Sequence, residues 1–319
     1  MCALFGFLDF GRILPQKILR ELTQALANSA EERGTDASGI SYIKNGKVSI
    51  YKRPKPAHKL RFNFPADTRA VMGHTRLTTQ GNQKLNWNNH PFLGYADVDF
   101  AFAHNGVLYN DKELRKLKSL PNTHIETDSY VAVQLIEKQG KLDFDSLKSM
   151  AEDVQGSFTF TVLDQSNNLY FVKGSSPMYL IYFRQFGLYV YASTESIMKN
   201  ALKSVGMQSF KYQIVDVNYG DILRISNTGE ITKSQFDTHT RYGFLDSNYY
   251  DWYDTYTEEE ELLLEICSQF GVDEDDVLTL LEYGYTTDEI EEMLMDTDML
   301  NHTLRAIKEE EYLFNSCHE

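Results

Sequence analysis

Residue 2 of the chain is a cysteine that directly follows the first methionine. Methionine aminopeptidases accept small second residues, so removal of Met1 would make Cys2 the N-terminal residue. Cys2 would then carry a thiol nucleophile and a free α-amine, whose pKa of about 7.7–8.0 suits it to accept the thiol proton. Taken alone, the position favours an ordinary small residue near a start codon, and the remaining chain must decide.

Four further polar or small residues stand where structured segments begin or end. Arg76 follows a buried strand, Asn105 and Gly106 follow an apolar strand at 98–103, and Asp128 opens a helix. Segment ends deliver polar groups into loops, where binding chemistry usually lies. Each residue also has a plainer interpretation: a surface salt bridge for Arg76, a turn for Asn105-Gly106 and a helix cap for Asp128.

Hydrophobic periodicity and turn signals predict the elements that must position these residues. Helical spacing predicts helices that begin near Pro15, Thr127, Asp143 and Ser193. Apolar runs predict strands at 3–8, 40–42, 47–51, from 70 onward, 98–103, 158–162, 169–172, 178–183 and 188–191, with a final strand at 220–225. Two groups of strands with helices between and after them indicate an α+β fold, in which sheets pack together and helices cover them.

Six short motifs occur in order before residue 130: Met1-Cys2-Ala3-Leu4-Phe5-Gly6, Arg33-Gly34-Thr35-Asp36-Ala37-Ser38-Gly39, Gly73-His74-Thr75-Arg76, Asn88-Asn89-His90-Pro91-Phe92, His104-Asn105-Gly106 and Thr127-Asp128-Ser129. Two weaker motifs follow, Gly174-Ser175-Ser176-Pro177-Met178-Tyr179 and Ala192-Ser193-Thr194-Glu195. Each is a weak signal alone, but the ordered set is specific. Through it, residues 2–235 resemble the class II glutamine amidotransferases, a family with an N-terminal nucleophile.

The resemblance implies an N-terminal-nucleophile (Ntn) hydrolase fold, which is a four-layer αββα sandwich, and glutamine as the substrate. In the family's pattern the Cys2 thiol attacks the side-chain carboxamide and the freed α-amine relays the proton. The Asn105 side-chain amide and the Gly106 N–H would form the oxyanion hole, in which each preorganised donor contributes ~2.7–4 kcal/mol. Ammonia leaves, and water hydrolyses the γ-glutamyl thioester.

The same resemblance assigns the residues that would hold the amino-acid head of glutamine. Arg76 would bind the α-carboxylate with its planar guanidinium, Asp128 would pair with the α-ammonium, and Thr79 would belong to the same substrate-binding set. Arg33 would order the loops around Cys2. Together these residues would select a free amino acid over a peptide.

Three positions depart from the family's pattern. Ala3 replaces a usual glycine, and Leu77 and Gln80 stand where synthases of amino sugars have tryptophan and histidine. The last two lie in the loop that tends to close over glutamine, so we expect an effect on loop closure and not on hydrolysis. The histidines of the motifs are interpreted as hydrogen-bonding core residues: His74, His90 and His104.

The net charge of −15 over 319 residues is unevenly distributed. Residues 246–319 carry 23 acidic and 2 basic side chains, whereas the preceding residues carry a small positive excess. This asymmetry predicts a boundary. We expect a glutaminase domain at 2–243, a linker at 244–256 and a small all-α acidic module at 257–315, in which Thr-x-x-Glu capping boxes and glycine stops delimit short helices.

The sequence offers no site for the reaction that would consume ammonia. It contains no Ser-Gly-Gly-x-Asp-Ser loop of asparagine synthetases, no phosphoribosyl-pyrophosphate loop and no sugar-isomerase domain. We therefore expect L-glutamine as ligand and a separate ammonia-accepting enzyme subunit as partner, docked through 257–315; a solvated appendage is the alternative for that module. Neither a metal nor an organic cofactor is implied, and the acidic chain makes nucleic-acid binding improbable.

Cysteine usage and hydropathy indicate a reducing, aqueous environment. Three cysteines far apart in sequence form neither a disulfide framework nor a zinc pattern, and we find neither a signal peptide nor an apolar run long enough to span a membrane. A cytoplasmic location is expected. Two other functions stay open: an Ntn amidase that acts on another γ-glutamyl or amide compound, and a non-catalytic protein that senses glutamine.

Overall fold

The computed structural model describes residues 2–238, 258–283, 285–294, 299–305 and 307, and the chain divides into two units, Met1–Arg241 and Tyr242–Glu319. The strands of the first unit are β1 Ala3–Asp9, β2 Ala37–Lys44, β3 Lys47–Arg53, β4 Ala70–Arg76, β5 Phe92–Tyr95, β6 Asp99–Leu108, β7 Gly156–Asp164, β8 Leu169–Lys173, β9 Tyr179–Phe183, β10 Leu188–Ala192, β11 Gln213–Ile214, β12 Asp221–Ile225 and β13 Ile231–Gln235. Its helices are α1 Gln16–Ser29, α2 Asp111–Leu117, α3 Tyr130–Gln139, α4 Phe144–Asp153 and α5 Glu195–Ser204.

The strands form two sheets in which every neighbouring pair is antiparallel. The first sheet has the order β11-β9-β10-β1-β4-β2-β3, and the second has the order β13-β12-β8-β7-β6-β5. A turn at Asn45-Gly46 joins β2 to β3, with both residues at positive φ. β1 occupies the centre of the first sheet, between β10 and β4, so the residues that follow Cys2 are held on both sides.

Three apolar cores show how the layers are stacked. One joins α1 and α5 to the first sheet, another joins α3 and α4 to the second sheet, and the third lies between the two sheets. In β1, Phe5 and Phe7 belong to the helix-facing core whereas Leu4 and Leu8 belong to the inter-sheet core, as the period of two requires. The resulting order is helix, sheet, sheet, helix. The predicted αββα sandwich is confirmed.

Three sequence-based predictions need correction. The strand expected at 98–103 continues through Leu108, because β6 pairs with β7 as far as Leu108 opposite Gly156. Ser193 does not cap α5, since the hydroxyl of Thr194 accepts the hydrogen bond from the Ile197 N–H. The strand at 220–225 is not the last, because β13 follows and pairs with it. The short elements α2, β5 and β11 were not predicted, because their hydrophobic periodicity is weak.

The second unit is helical where it is described. It contains α6 Glu258–Gln269, α7 Glu274–Glu282 and α8 Thr287–Leu294, with residues 299–305 helical as well. Buried apolar side chains hold the helices together, and the Thr286 hydroxyl and Glu289 carboxylate cap α8 reciprocally as predicted. The predicted linker at 244–256 and capping residue Thr257 lie outside the described residues. Among the helices described in either unit, none is both long and apolar enough to cross a membrane.

A group of three buried histidines lies beside the strand ends of β4 and β6. The rings of His74 and His90 have centroids 4.2 Å apart, and His74 Nε2 hydrogen-bonds the His104 carbonyl at 2.9 Å. His104 Nδ1 lies 2.8 Å from the Ser129 hydroxyl, whereas neither ring nitrogen of His90 has a partner among the described residues. All three are therefore core residues. The interpretation of His90 as a hydrogen-bonding residue is wrong for the described part of the chain.

Burial determines the charge of these histidines. Desolvation is the largest cause that lowers the pKa of His74, to about 3, and it also lowers the pKa values of His90 and His104. The charges of Arg76 and Lys52 disfavour protonation of His74 and His90 further. The histidines are therefore neutral near neutral pH.

We expect acid to destabilise the fold through this group. Because the pKa values are lowered only in the folded state, the unfolded chain binds protons first as the pH falls below about 6.5. Stability is therefore fully present above that pH and is lost below it, by up to about 1.4 kcal/mol per pH unit for each histidine. Urea unfolding of wild type and His90→Phe across this range measures the effect.

His90→Phe should show a shallower pH dependence of the free energy of unfolding. The slope should correspond to the uptake of up to one proton fewer on unfolding. Phe92→Leu is the control, since it removes a ring that lies 4.4 Å from His90 without removing a titratable group. Equal slopes for His90→Phe and wild type would contradict the assignment of His90 as a neutral buried base.

Candidate active site

Strand register brings Cys2 beside Arg76. Ala3 pairs with Thr75 across the antiparallel β1–β4 ladder, so the next positions along the two strands are Cys2 and Arg76. The Cys2 thiol lies 3.5 Å from the Leu77 carbonyl oxygen, to which it donates, and Arg33 Nε donates to the Cys2 carbonyl oxygen at 2.9 Å. Arg33 thus contacts the backbone of the candidate nucleophile.

The alternation of side chains along the strands aims three predicted site residues into one space. Leu4, Met72 and Ala103 belong to the core between the sheets. Cys2 lies two residues before Leu4, Arg76 four residues after Met72 and Asn105 two residues after Ala103. Because side chains alternate between the faces of a strand, all three lie on the face that meets the other sheet. The three side chains consequently point into the gap between the sheets, at one end of it.

The Cys2 thiol is neutral at rest. Burial raises its pKa above the ordinary value, and the positive charge of Arg76 offsets only part of this effect. The negative charge of Asp128 acts in the same direction as burial. Since thiolate is the reactive form, a base must take the proton before or during attack. The charges of Arg76 and Asp128 affect the pKa of Cys2, and those of Cys2 and Asp128 affect the pKa of Arg76, so the three groups lie close enough to interact.

Arg76 is buried and held by neutral oxygens. Its Nη1 donates to Asn89 Oδ1 at 2.7 Å and its Nη2 donates to the Gln80 carbonyl oxygen. No carboxylate in the described part of the chain forms an ion pair with it. Burial lowers the pKa of Arg76, although nearby acids oppose this. Its remaining N–H groups are suited to a carboxylate ligand.

The segment at 33–36 supports the backbone of Arg76. A Cβ on Gly34 would lie only 2.4 Å from the Arg76 carbonyl carbon, so glycine is needed for this close approach. The Asp36 N–H donates to the Arg76 carbonyl at 2.9 Å, and Asp36 Oδ2 accepts from the Thr78 N–H at 2.8 Å. The Arg-Gly-x-Asp motif therefore shapes the chain as it leaves β4.

Asp128 is fixed by β6 and does not cap a helix with its side chain. Its Oδ2 accepts a hydrogen bond from the Leu108 N–H at 2.7 Å, and the Ser129 hydroxyl lies 3.4 Å from its Oδ1. Ser129, and not Asp128, is the residue that precedes α3, and it makes no side-chain capping bond. The helix-cap interpretation of Asp128 is therefore wrong. The carboxylate oxygens retain lone pairs for a cationic ligand.

Asn105 and Gly106 lie within β6 and not in a turn. The Asn105 side chain is fully buried; its Nδ2 lies 3.5 Å from the Ser193 hydroxyl oxygen and its Oδ1 has no partner among the described residues. Gly106 has a φ of +133°, and a Cβ there would lie 2.0 Å from the Ser157 carbonyl oxygen. Only glycine fits this position, so the irregular backbone at Gly106 is a built feature of the strand.

Thr79 is a predicted site residue for which the structure shows no hydrogen bond to the rest of the site. It is exposed and makes no hydrogen bond to another described residue. Its neighbour Gln80 is tied down, since its Nε2 donates to the Glu126 carbonyl at 3.1 Å and lies 3.4 Å from Asp111 Oδ2. Substrate binding by Thr79 stays a prediction.

Sequence reasoning missed two supports of the site. Asn89 orients Arg76 and Ser193 contacts Asn105, and both lie inside motifs whose residues were not assigned such contacts. No signal in the sequence pairs them, because both contacts join distant segments. Among the described residues, no group of three or more His, Cys, Asp or Glu side chains is arranged to hold a metal ion.

Comparison with known proteins bears on the family that the chain resembles. Residues 74–200 match a family model described as a glutamine amidotransferase domain. The chain is 29% identical over 229 residues to 7-cyano-7-deazaguanine synthase 2 of Sulfurisphaera tokodaii, which covers 68% of this chain and 48% of the relative. It is also 29% identical over 187 residues to glutamine–fructose-6-phosphate aminotransferase (isomerizing) of the same organism, with 56% and 31% covered. The chain thus spans about half or less of these relatives.

A solved structure supports the fold. Glutamine phosphoribosylpyrophosphate amidotransferase from B. subtilis superimposes with a TM-score of 0.58 at 20% identity, over 75% of this chain and 50% of that chain. An identity this low bears on the fold alone. Residues 74–200 thus match a glutamine amidotransferase domain, and the fold and ordered motifs are similar to those of the class II, N-terminal-nucleophile amidotransferases.

Proposed function

We propose that this chain hydrolyses L-glutamine to glutamate and ammonia through a thioester on Cys2, and delivers the ammonia to an acceptor enzyme on a separate chain. The observation that carries the proposal is the convergence of a thiol, a guanidinium without a carboxylate partner and a buried amide donor in the gap between the sheets. The family match supplies the reaction class.

The reaction begins with attack of Cys2 Sγ on the carboxamide carbon of glutamine. The thiol proton passes to the α-amine that removal of Met1 frees, directly or through water. Charge that develops on the carboxamide oxygen is stabilised by the Asn105 amide and the Gly106 N–H. The C–N bond then breaks, and the leaving nitrogen takes the proton from the α-ammonium and departs as ammonia. Water attacks the thioester and regenerates the thiol.

The amino-acid head of glutamine is bound by opposite charges. Arg76 has bonds to two neutral oxygens, so a substrate carboxylate would be its first anionic partner. Asp128 keeps its carboxylate oriented through the Leu108 N–H and would face the substrate ammonium. A pair of opposite charges favours a free α-amino acid over an amide within a peptide, which supports glutamine over other amide substrates.

The acceptor is proposed to be a different polypeptide. The names of the curated relatives describe synthases and aminotransferases. The acidic helical unit is suited to dock a partner with a basic surface, because its described helices carry mostly acidic polar residues. Deletion of 246–319 that leaves both glutaminase kinetics and co-purified partners unchanged would contradict a docking role.

Intact mass and glutaminase activity together test the nucleophile. We expect the purified chain to lack Met1 and to release glutamate and ammonia, and we expect Cys2→Ala to abolish the release. Cys267→Ala is the matched control, because this cysteine is buried in the second unit and burial raises its pKa to about 11. A chain that retains Met1 and is inactive would favour a glutamine sensor instead.

Substitution of the charged pair should act on substrate binding. Arg76→Lys should raise KM for glutamine by about 10- to 100-fold, since a charge-assisted hydrogen bond is worth roughly 1.5–3 kcal/mol, and Asp128→Asn should act similarly. Asp143→Asn is the control, because Asp143 caps α4 and asparagine caps equally well. Unchanged KM in both variants, with turnover of amides that lack the amino-acid head, would favour the alternative amidase.

The pH profile should follow the base and not the thiol. Because burial raises the pKa of Cys2, little thiolate exists near neutral pH, and the active form is the neutral thiol with an unprotonated α-amine. kcat/KM should therefore rise with pH and level off above the amine pKa of about 7.7–8.0. A stopped assay of glutamate release measures this profile from roughly pH 6 to 9.5, a range that brackets the pKa of the amine. A profile that keeps rising throughout this range would indicate thiol ionisation instead.

A further inference from the structure

Ser193 directly follows β10 and connects the two sheets at the candidate site. Its N–H donates to the Leu4 carbonyl oxygen at 2.9 Å, and its hydroxyl oxygen accepts from the Leu4 N–H at 2.8 Å. Leu4 lies in β1, two residues from Cys2. The same hydroxyl oxygen lies 3.5 Å from Nδ2 of Asn105, which belongs to β6 in the other sheet. One oxygen therefore contacts the nucleophile strand and the amide donor.

The Ser193 hydroxyl has no competing task. Thr194 caps α5, so Ser193 is not required for that helix. Ser193 is buried, which limits competition from water. A hydroxyl oxygen has two lone pairs, and these suffice for the Leu4 N–H and the Asn105 amide together.

The Asn105 amide needs such a partner. Its Oδ1 has none among the described residues, and the side chain is completely buried. A half-turn of the amide would exchange its donor and acceptor ends, which have nearly the same shape. In the structure Nδ2 faces Ser193, at 3.5 Å from the hydroxyl oxygen that also accepts from the Leu4 N–H. Because an amide nitrogen carries two hydrogens, the second stays available for a developing oxyanion.

We propose that Ser193 is a positioning residue for glutamine hydrolysis, which orients the Asn105 donor and fixes its distance from the strand that carries Cys2. This inference rests on the proposed function and adds to it a residue that does not touch the substrate. Ser193 acts only through Asn105 and Leu4. It therefore affects the rate of the chemical step more than the binding of glutamine.

Kinetics of Ser193→Ala provide the first test. The substitution removes one buried oxygen, the acceptor of the Leu4 N–H. We expect kcat to fall by roughly 10- to 100-fold, the cost of a small misplacement of a catalytic group, with KM nearly unchanged. Thr194→Ala is the matched control at the next position: it removes the true cap of α5, so it should lower the unfolding temperature and leave kcat unchanged. A loss of kcat in Thr194→Ala equal to that in Ser193→Ala would assign the effect to α5.

A double-mutant cycle with Asn105→Ala separates positioning from general support. If Ser193 acts through Asn105, the substitution Ser193→Ala should cost little further activity once Asn105 is alanine. Losses that multiply in the double variant would overturn the proposal. The affinity for L-glutamate γ-semialdehyde, which adds to the thiol as a tetrahedral thiohemiacetal, should follow the same pattern.

A structural readout keeps this inference separate from the proposed function. Amide exchange at Leu4 and the side-chain NH2 signals of Asn105, followed by NMR, report the bridge without any reaction. Ser193→Ala should speed exchange at Leu4 and shift the Asn105 signals. If wild type does not hydrolyse glutamine, the proposed function fails while these signals still decide the bridge; unchanged signals in Ser193→Ala would overturn it.

Discussion

The antiparallel pairing of β1 with β4 is the interaction on which the site depends. It places Cys2 level with Arg76, so a thiol at the beginning of the chain meets a cation that lies over seventy residues later. β10 holds the other side of β1, with Phe5 opposite Ala192, and Ser193 extends this pairing to Leu4. Because β4 and β10 both pair with β1, strand pairing anchors the segment that follows Cys2.

Packing of one sheet on the other supplies what a single sheet cannot. β6 faces the first sheet with Ala101 and Ala103, whose small side chains let the sheets approach, and the same face continues to Asn105. An amide donor from the second sheet thereby reaches the thiol side of the first. Gly106 then departs from regular strand geometry directly beside it, which only a residue without a side chain permits.

Desolvation governs the electrostatics of this region. It raises the pKa of the Cys2 thiol and lowers the pKa of His74, His90 and His104, so these four groups near Arg76 are neutral at rest. Arg76 itself is held by an amide oxygen and a backbone carbonyl. Among the described residues the carboxylates of Asp36 and Asp128 act on Arg76 without forming an ion pair with it. A buried cation without a direct anionic partner is costly, and this is the physical basis for expecting a carboxylate-bearing ligand.

The sequence alone determined the layered α+β architecture, the order of most strands and helices, and the candidate residues Cys2, Arg76, Asn105, Gly106 and Asp128, because alternation, turn signals and ordered motifs are local properties. It failed where pairing with a distant strand decides the outcome. β6 extends through Asn105-Gly106 only because β7 lies beside it, and Asp128 meets the Leu108 N–H only after both segments fold. The Ser193 hydroxyl likewise finds Leu4 and Asn105 across the sheets. Such contacts depend on register and layer packing, and tertiary structure alone sets these.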